Sequence, residues 1–372
     1  MEFHTCPAQT LLQQEDVIQD RHALLDLMKS CGKKKDLAIA RRIHTELLLR
    51  NLFPTDVCIN NSLLNMYAKC GAFQEAREIF DKLLYTRNVV SWNAMISIYI
   101  QYGLPYEAFR CFKQMVHDGF APNSVTFSSL LKVCSTIGCL QMGEEIHEHI
   151  KKKDLFRKDI VLSTSLVDMY VKCGKMKRAQ EIFDEMPKRN IVTWSVMIAG
   201  YAQHGLPDEA LRCFRKMQYE GISPNAITFS CILKACRSHI EFLQVGEEID
   251  AEIRKQGLLA KDIVLGNALI DMYMKCGMME KAKDIFIEIP EKDVVSWSTL
   301  ISGYAEHGFA NEALNCFKKM CNAGISPNAF TFSTVLKACG SIGNIQMGKE
   351  IHNEVKRKQL LEKDSMLGSV LV

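Results

Sequence analysis

The chain has 372 residues and is 48% hydrophobic, with 46 basic and 43 acidic residues for a net charge of +3. That balance excludes a strongly polycationic binder, although a near-neutral protein can still carry one basic groove, because association follows the local field. No run of about 18 apolar residues occurs, so no membrane-spanning segment is expected.

Residues 1–20 form a lead segment. It lacks a basic-then-apolar signal pattern, and Glu2, Glu15, Asp16 and Asp20 all precede the first arginine, Arg21, which is unlike a transit peptide. From residue 21 onward the chain is periodic. A long segment, 21–56, is followed by a short one, 57–88, and by a 35-residue one, 89–123. The cycle returns as 124–159, 160–190 and 191–225, then as 226–262, 263–293 and 294–328, and opens again with 329–364. Ten repeats thus follow one another without linkers. The final eight residues, SMLGSVLV at 365–372, match the openings IVLSTSLV and IVLGNALI. They are expected to begin a truncated eleventh repeat, so the sequence reads as a fragment of a longer protein. A fixed period of this size is the signature of a solenoid, which grows without a central core.

The segment 191–225, IVTWSVMIAGYAQHGLPDEALRCFRKMQYEGISPN, shows what one repeat encodes. Trp194, Ile198 and Tyr201 recur on one face of a helix. Gly205 is a stop in the left-handed position. Pro207 opens a second helix where its missing N–H costs nothing, and Asp208 and Glu209 put negative charge at the positive end of the helix dipole. Ala210, Leu211, Phe214 and Met217 make a second apolar stripe, and Gly221 ends it. One such hairpin cannot bury both stripes alone, whereas a stack of them can. The expected fold class is all-α, a right-handed superhelical α-solenoid of helix-turn-helix repeats.

Most of the 15 cysteines fall in repeat slots: Cys70, Cys173 and Cys276; Cys111, Cys213 and Cys316; Cys31, Cys134, Cys236 and Cys339. A cysteine on a packed helix face acts as a small hydrophobe. No C-x-x-C is present, so free thiols are expected and no metal or other cofactor. A zinc deaminase needs H-x-E together with P-C-x-x-C. His44-Thr45-Glu46 and His352-Asn353-Glu354 supply the first pattern, but the second is missing. These histidines share a slot with His147, and Asp250 fills that place in another copy. Ligands repeated along a solenoid cannot converge on one ion. No nucleophile elbow, Ser/His/Asp set or phosphate loop is found, so no catalytic residue is assigned.

The alternation of long and short repeats, the VVSWN-x-MI-x-x-Y opening, the DEAL-x-x-F-x-x-M second helix and the closing SPN resemble the plant pentatricopeptide-repeat family, and its PLS subclass in particular. The resemblance covers residues 21–372. The tetratricopeptide repeat, also two helices in 34 residues, carries W-x-x-L-G-x-x-Y and keeps a constant length, and this chain does neither. The resemblance implies sequence-specific binding of single-stranded RNA, one base per repeat, in a mitochondrion or chloroplast. The chain would be the targeting module of an RNA-editing or RNA-processing factor, with editing-complex proteins as further partners and no DNA or membrane partner. Many family members carry a C-terminal E and DYW extension with deaminase activity, which this sequence does not contain. The alternative is a helical scaffold that binds a protein or peptide. A peptide clamp tends to line its groove with charged side chains, whereas a base reader needs short hydrogen-bonding ones.

At the fifth position the repeats carry Asn61, Asn93, Ser128, Thr164, Ser195, Ser230, Asn267, Ser298 and Ser333, and at the last position only Asn or Asp. That pattern fits base reading. Ionised Asp only accepts, so it suits the N3–H of uracil and the N1–H of guanine, whereas Asn also donates and suits adenine N1 or cytosine N3. A small Ser or Thr at the fifth position leaves room for a purine, and Asn favours a pyrimidine. In agreement with the code that the resemblance implies, Asn61/Asn88 and Asn93/Asn123 should read a pyrimidine, C before U. Ser128/Asp159, Ser230/Asp262 and Ser333/Asp364 should read G. Thr164/Asn190, Ser195/Asn225 and Ser298/Asn328 should read A, and Asn267/Asp293 should read U. Leu25 with Asp56 fits no pair. The expected site is close to 5′-YYGAAGUAG-3′. By the same resemblance Val90, Val125, Val161, Val192, Ile227, Val264, Val295 and Phe330, all at the second position, wedge between bases. Lys69, Lys172 and Lys275 stand at the thirteenth position of the short repeats. Eleven residues, about three turns, separate them from the second position, so they could meet phosphate or simply be solvated.

Overall fold

The computed structural model describes residues 21–53, 55–237 and 240–358, and among these the regular structure is helical throughout: 20 α-helices and one 3-10 turn, Ile240–Phe242. The lead segment 1–20, Asp364 and the expected start of an eleventh repeat at 365–372 lie outside the described residues. The chain divides into two compact units, Met1–Pro187 and Lys188–Val372.

The first unit contains α1 (Arg21–Lys34), α2 (Leu37–Leu49), α3 (Val57–Lys69), α4 (Phe73–Lys82), α5 (Val89–Gln101), α6 (Pro105–His117), α7 (Ser124–Ile137), α8 (Leu140–Lys152), α9 (Ile160–Lys172) and α10 (Met176–Glu185). The second contains α11 (Ile191–Gln203), α12 (Pro207–Tyr219), α13 (Ala226–Cys236), α14 (Leu243–Lys255), α15 (Ile263–Lys275), α16 (Met279–Glu288), α17 (Val294–Glu306), α18 (Ala310–Asn322), α19 (Ala329–Ser341) and α20 (Ile345–Arg357). Within each unit an odd-numbered helix packs on its even-numbered partner and on the next odd-numbered helix. The result is an all-α solenoid of two layers.

The two kinds of helix begin differently. From α3 onward, each odd-numbered helix starts on an Asn or Asp whose side chain accepts backbone N–H groups of the first turn, filling donors that a helix end leaves unpaired. Most even-numbered helices have no side-chain cap and start just after a tight turn. In α12 the turn is made by Gly205 at φ 69°, Pro207 stands in the first helical turn, and Asp208 and Glu209 follow it as the sequence implies.

Aromatic contacts recur at the joints between repeats. Trp92 meets Phe80 edge-on at 4.9 Å and Trp297 meets Phe286 at 4.7 Å. Phe112 faces Phe127 at 6.1 Å, Phe214 faces Phe229 at 6.3 Å and Phe317 faces Phe332 at 6.0 Å. Each such buried side chain contributes roughly 1.5–3 kcal/mol. Close approach at another joint needs glycine. A Cβ on Gly143 would sit 2.4 Å from Met169 Sδ, and one on Gly246 would sit 2.8 Å from Met272 Cε.

The repeated histidine slot is a polar tie between an even-numbered helix and the next odd-numbered one. His44 Nδ1 pairs with the Tyr67 hydroxyl at 3.1 Å and His147 Nδ1 with that of Tyr170 at 3.0 Å. Asp250 takes over the same task, accepting from the Tyr273 hydroxyl at 2.8 Å. Among the described residues no group of three or more His, Cys, Asp or Glu is placed to hold a metal ion. The cysteine slots split: Cys31, Cys134, Cys236 and Cys339 are buried, whereas Cys70, Cys173 and Cys276 are C-cap residues rather than members of a helix face.

Candidate nucleic-acid interface

The second position of each odd-numbered helix lies in its first turn, before the helix reaches the packed joint. There the chain places Val90, Val125 and Val161 in the first unit, and Val192, Ile227, Val264, Val295 and Phe330 in the second. All eight are exposed, from 49% at Val295 to 65% at Ile227. Single exposed apolar residues need no explanation, but one in the same register on repeat after repeat is a patterned surface. Cys58 occupies this register in α3 and is also exposed, so the register extends one repeat further than the aliphatic run in the sequence suggests.

Three residues further along, on the same helix face, stands the fifth position. Asn61, Thr164, Ser195, Asn267, Ser298 and Ser333 are buried there, and Asn93, Ser128 and Ser230 are half-buried. Beside it comes the residue that ends the repeat, which is also the N-cap of the next odd-numbered helix. Asn93 Nδ2 donates to Asn123 Oδ1 at 3.2 Å, and Asn267 Nδ2 donates to Asp293 Oδ1 at 3.2 Å. In other repeats the two meet through a hydroxyl. Thr228 Oγ1 is 2.8 Å from Ser195 Oγ and donates to Asn225 Oδ1 at 2.9 Å. Thr331 Oγ1 is 2.6 Å from Ser298 Oγ and donates to Asn328 Oδ1 at 2.8 Å.

These bonds decide which atoms remain available. Asn123 Oδ1 receives the Thr126 N–H at 3.1 Å and Asn93 Nδ2 at 3.2 Å, with the Thr126 hydroxyl also 3.1 Å away. Its Nδ2 takes no part and is free to donate. Asp293 Oδ1 receives the Ser296 N–H at 2.8 Å and hydroxyl at 2.9 Å, with Asn267, which leaves Oδ2 to accept from outside. Burial works against the Asp293 charge, but the bonds from Ser296, Asn267 and the Val295 backbone outweigh it and hold the carboxyl below its ordinary range.

Asn61 and Asn88 likewise meet through the Ser91 hydroxyl, at 2.7 and 3.1 Å. Asp159 accepts from the Val161 and Leu162 N–H groups at 3.0 and 3.1 Å and from the Ser124 side chain, and it too is held low against the opposing effect of burial. Thr164 donates to Ile160 O at 2.7 Å. Asp262 accepts from the Val264 and Leu265 N–H groups, and Asn190 accepts from the Thr193 N–H at 3.0 Å. Asp56 is engaged by Arg21 through Nε at 2.9 Å and Nη2 at 3.1 Å, a pairing absent from the sequence reading. The lysines differ among themselves. Lys172 pairs with Asp168 at 2.9 Å and Lys275 pairs with Glu306. The exposed Lys69 lays its stem over Gly32, where a Cβ would meet Cδ at 3.1 Å.

With this register on the page, comparison with known proteins is informative. The PPR repeat family matches residues 87–136, 189–238 and 292–341, and the PPR repeat matches 61–85, 125–155, 161–191, 267–294 and 330–360. The chain belongs to the pentatricopeptide-repeat family. A chloroplastic pentatricopeptide repeat-containing protein of Arabidopsis thaliana is 35% identical over 325 residues, 87% of this chain and 52% of its own length. A mitochondrial one from the same plant is 34% identical over 335 residues, 90% of this chain and 32% of its own. The chain therefore spans about half or less of these relatives. Among solved structures, pentatricopeptide repeat protein PPR10 in complex with an 18-nt psaJ RNA element overlays 93% of this chain and 52% of PPR10, with a TM-score of 0.74 at 19% identity, a likeness of fold.

Proposed function

We propose that this pentatricopeptide-repeat chain binds single-stranded RNA sequence-specifically, one base per repeat, through ten repeats spanning 21–364. The observation that carries the reading is the exposed second-position register lying next to polar pairs of defined donor and acceptor sense. An aliphatic side chain held half in water offers area to a base face, and the neighbouring Asn, Asp, Ser or Thr offers a base edge one or two hydrogen bonds. Single-stranded RNA with its bases splayed out presents both surfaces. The solved RNA complex of PPR10 adds support by kinship.

The free Asn123 Nδ2 suits cytosine N3, and the free Asp293 Oδ2 suits uracil N3–H. The same logic extends to Ser195/Asn225 and Ser298/Asn328 for adenine and to the Asp-ended long repeats for guanine. The lysines of the short repeats are assigned to phosphate, because exposed ion pairs such as Lys172–Asp168 are weak enough to exchange partners. Assignment to the PLS subclass, to a mitochondrion or chloroplast, and to a role in RNA editing or processing alongside other proteins completes the proposal. It is supported by the repeat-length pattern and by the organellar names of the relatives.

The test is binding of fluorescent 5′-YYGAAGUAG-3′ beside single-base variants and DNA of the same sequence. Replacing U by A opposite Asn267/Asp293 should cost about 1–3 kcal/mol, if base-edge magnitudes measured on DNA apply. Equal affinity for scrambled RNA would defeat the proposal.

A further inference from the structure

Beneath the reading pairs lies a third group, the hydroxyl at the third position of the following repeat. Ser91, Thr126, Thr228, Ser296 and Thr331 are between 0% and 1% exposed. Four of them bridge a fifth-position side chain and the residue that ends its repeat. Ser91 Oγ donates to Asn61 Oδ1 at 2.7 Å and lies 3.1 Å from Asn88 Oδ1. Thr126 Oγ1 donates to Asn93 Oδ1 at 2.6 Å and lies 3.1 Å from Asn123 Oδ1. Thr228 and Thr331 make the two hydroxyl bridges already described.

A hydroxyl has one proton, and its destination changes with the pair. Facing two amides, the shorter bond goes to the fifth-position Asn. Facing the Asp293 carboxylate, Ser296 donates there instead, and Asn267 Oδ1 is left buried without a partner. A charged acceptor outcompetes a neutral one.

The choice matters because an amide is ambiguous and a carboxylate is not. Rotating an Asn side chain by half a turn swaps an acceptor for two donors, and with it the base edge it suits. Rotating an Asp exchanges one acceptor for another. The distribution of hydroxyls follows this distinction with one exception, Asp293. Each Asn that ends a repeat, at 88, 123, 190, 225 and 328, is followed three residues later by Ser or Thr. After Asp56, Asp159 and Asp262 the third position is Ile59, Leu162 and Leu265, with no hydroxyl, whereas Asp293 is followed by Ser296.

The geometry points to the buried third-position hydroxyl as a positioning residue for specificity: together with the backbone N–H of its own residue, which bonds the same amide oxygen, it fixes the rotation of the neighbouring amide and so decides whether the reading pair shows the base a donor or an acceptor. This role rests on the base-reading proposal. It adds that specificity at an Asn-ended repeat is written in three residues, the third belonging to the next repeat.

The experiment uses the whole chain and a set of four RNA oligonucleotides that differ only at the base opposite Ser195/Asn225. Wild type should prefer adenine by about tenfold or more, the span of one good base-edge contact. Thr228→Val keeps the shape and removes the hydroxyl. Its preference should fall to about threefold or less, while discrimination opposite Asn267/Asp293 is unchanged. Thr228→Ser should restore the preference, and Thr331→Val should show the same loss opposite Ser298/Asn328. In an Asn225→Asp background Thr228→Val should leave the base ratio unaltered, because no amide remains to rotate. A purely structural role would weaken binding to all four RNAs together, with their ratio intact, and would overturn the assignment. A wild-type chain without preference at this base would overturn base reading and the hydroxyl role together. A discriminating wild type with an equally discriminating Thr228→Val would overturn the hydroxyl role alone. Circular dichroism melts of both valine variants establish that the comparison is between folded chains.

Discussion

Asn267 reaches the residue that ends its own repeat, donating through Nδ2 to Asp293 Oδ1 at 3.2 Å. The bond joins the fifth position of one helix, α15, to the cap of the next, α17, and leaves one carboxylate oxygen uncommitted. Replacing Asp293 with Asn should therefore alter recognition more than stability. Asn and Asp cap helices about equally well, whereas the outward-facing group changes from an acceptor to a donor. The base preferred opposite this pair should move from U toward C, with the midpoint of unfolding nearly unchanged. Competition binding with oligonucleotides differing at that one base checks it, and an unmoved preference counts against two-residue reading.

Val192→Asp should weaken binding to every RNA sequence alike. Val192 is 55% exposed, so the fold does not depend on it, but the proposed contact with a base face does. Aromatic contacts to bases are worth roughly 1–3 kcal/mol, and an aliphatic wedge should lie at the low end. Affinities for cognate and scrambled RNA should fall by a similar factor. A selective loss for one base would contradict a wedge.

Phe127→Ala should destabilise the first unit by about 3–5 kcal/mol, the range for deleting a buried aromatic. The ring is fully buried and faces Phe112 at 6.1 Å. Chemical denaturation followed by circular dichroism measures the loss. A change below about 1 kcal/mol would mean that this joint is not packed as described.

Acid should loosen the ties at His44 and His147. Burial lowers the affinity of both imidazoles for a proton. As pH falls below about 6.5, the ordinary histidine value, the unfolded chain takes up protons that the folded chain resists. The stability that both neutral rings contribute is thus complete above that value and is lost as pH drops toward their depressed folded values. Melting temperature should fall between pH 7.5 and 5.5, and the fall should shrink in the His44→Gln/His147→Gln double variant. An identical pH dependence in that variant would assign the effect elsewhere.

What sequence made legible, and what it did not, divides by distance along the chain. Gly205, Pro207, Asp208 and Glu209 act within one or two turns of themselves, and their roles follow from spacing alone. The register of Val192 and Ile227 is expected from the family resemblance, and the structure leaves both side chains exposed. The cross-repeat bonds were not legible, because Ser195 and Thr228 are 33 residues apart in sequence and nothing local announces their meeting. The Ser/Thr recurrence at the third position was visible in VVSWN, SVTFS and AITFS, but it is equally the signature of an ordinary capping box. The Lys172–Asp168 pair at i, i+4 could have been read from spacing. The Arg21–Asp56 pair could not.

The side chain that ends each repeat is also the one on which the next helix begins. A residue that serves two masters has few permitted identities. Lys, Gln, Glu or Leu at Asn225 or Asp293 would forfeit about 0.5–2 kcal/mol of helix initiation, whatever contact it offered a base. Change is thereby confined to a small alphabet of short polar residues, which one or two nucleotide replacements in the coding sequence can exchange. On the proposed reading, such an array could be redirected to a new RNA by small steps that each leave the scaffold standing, while routes through bulkier side chains are closed before binding is ever tested.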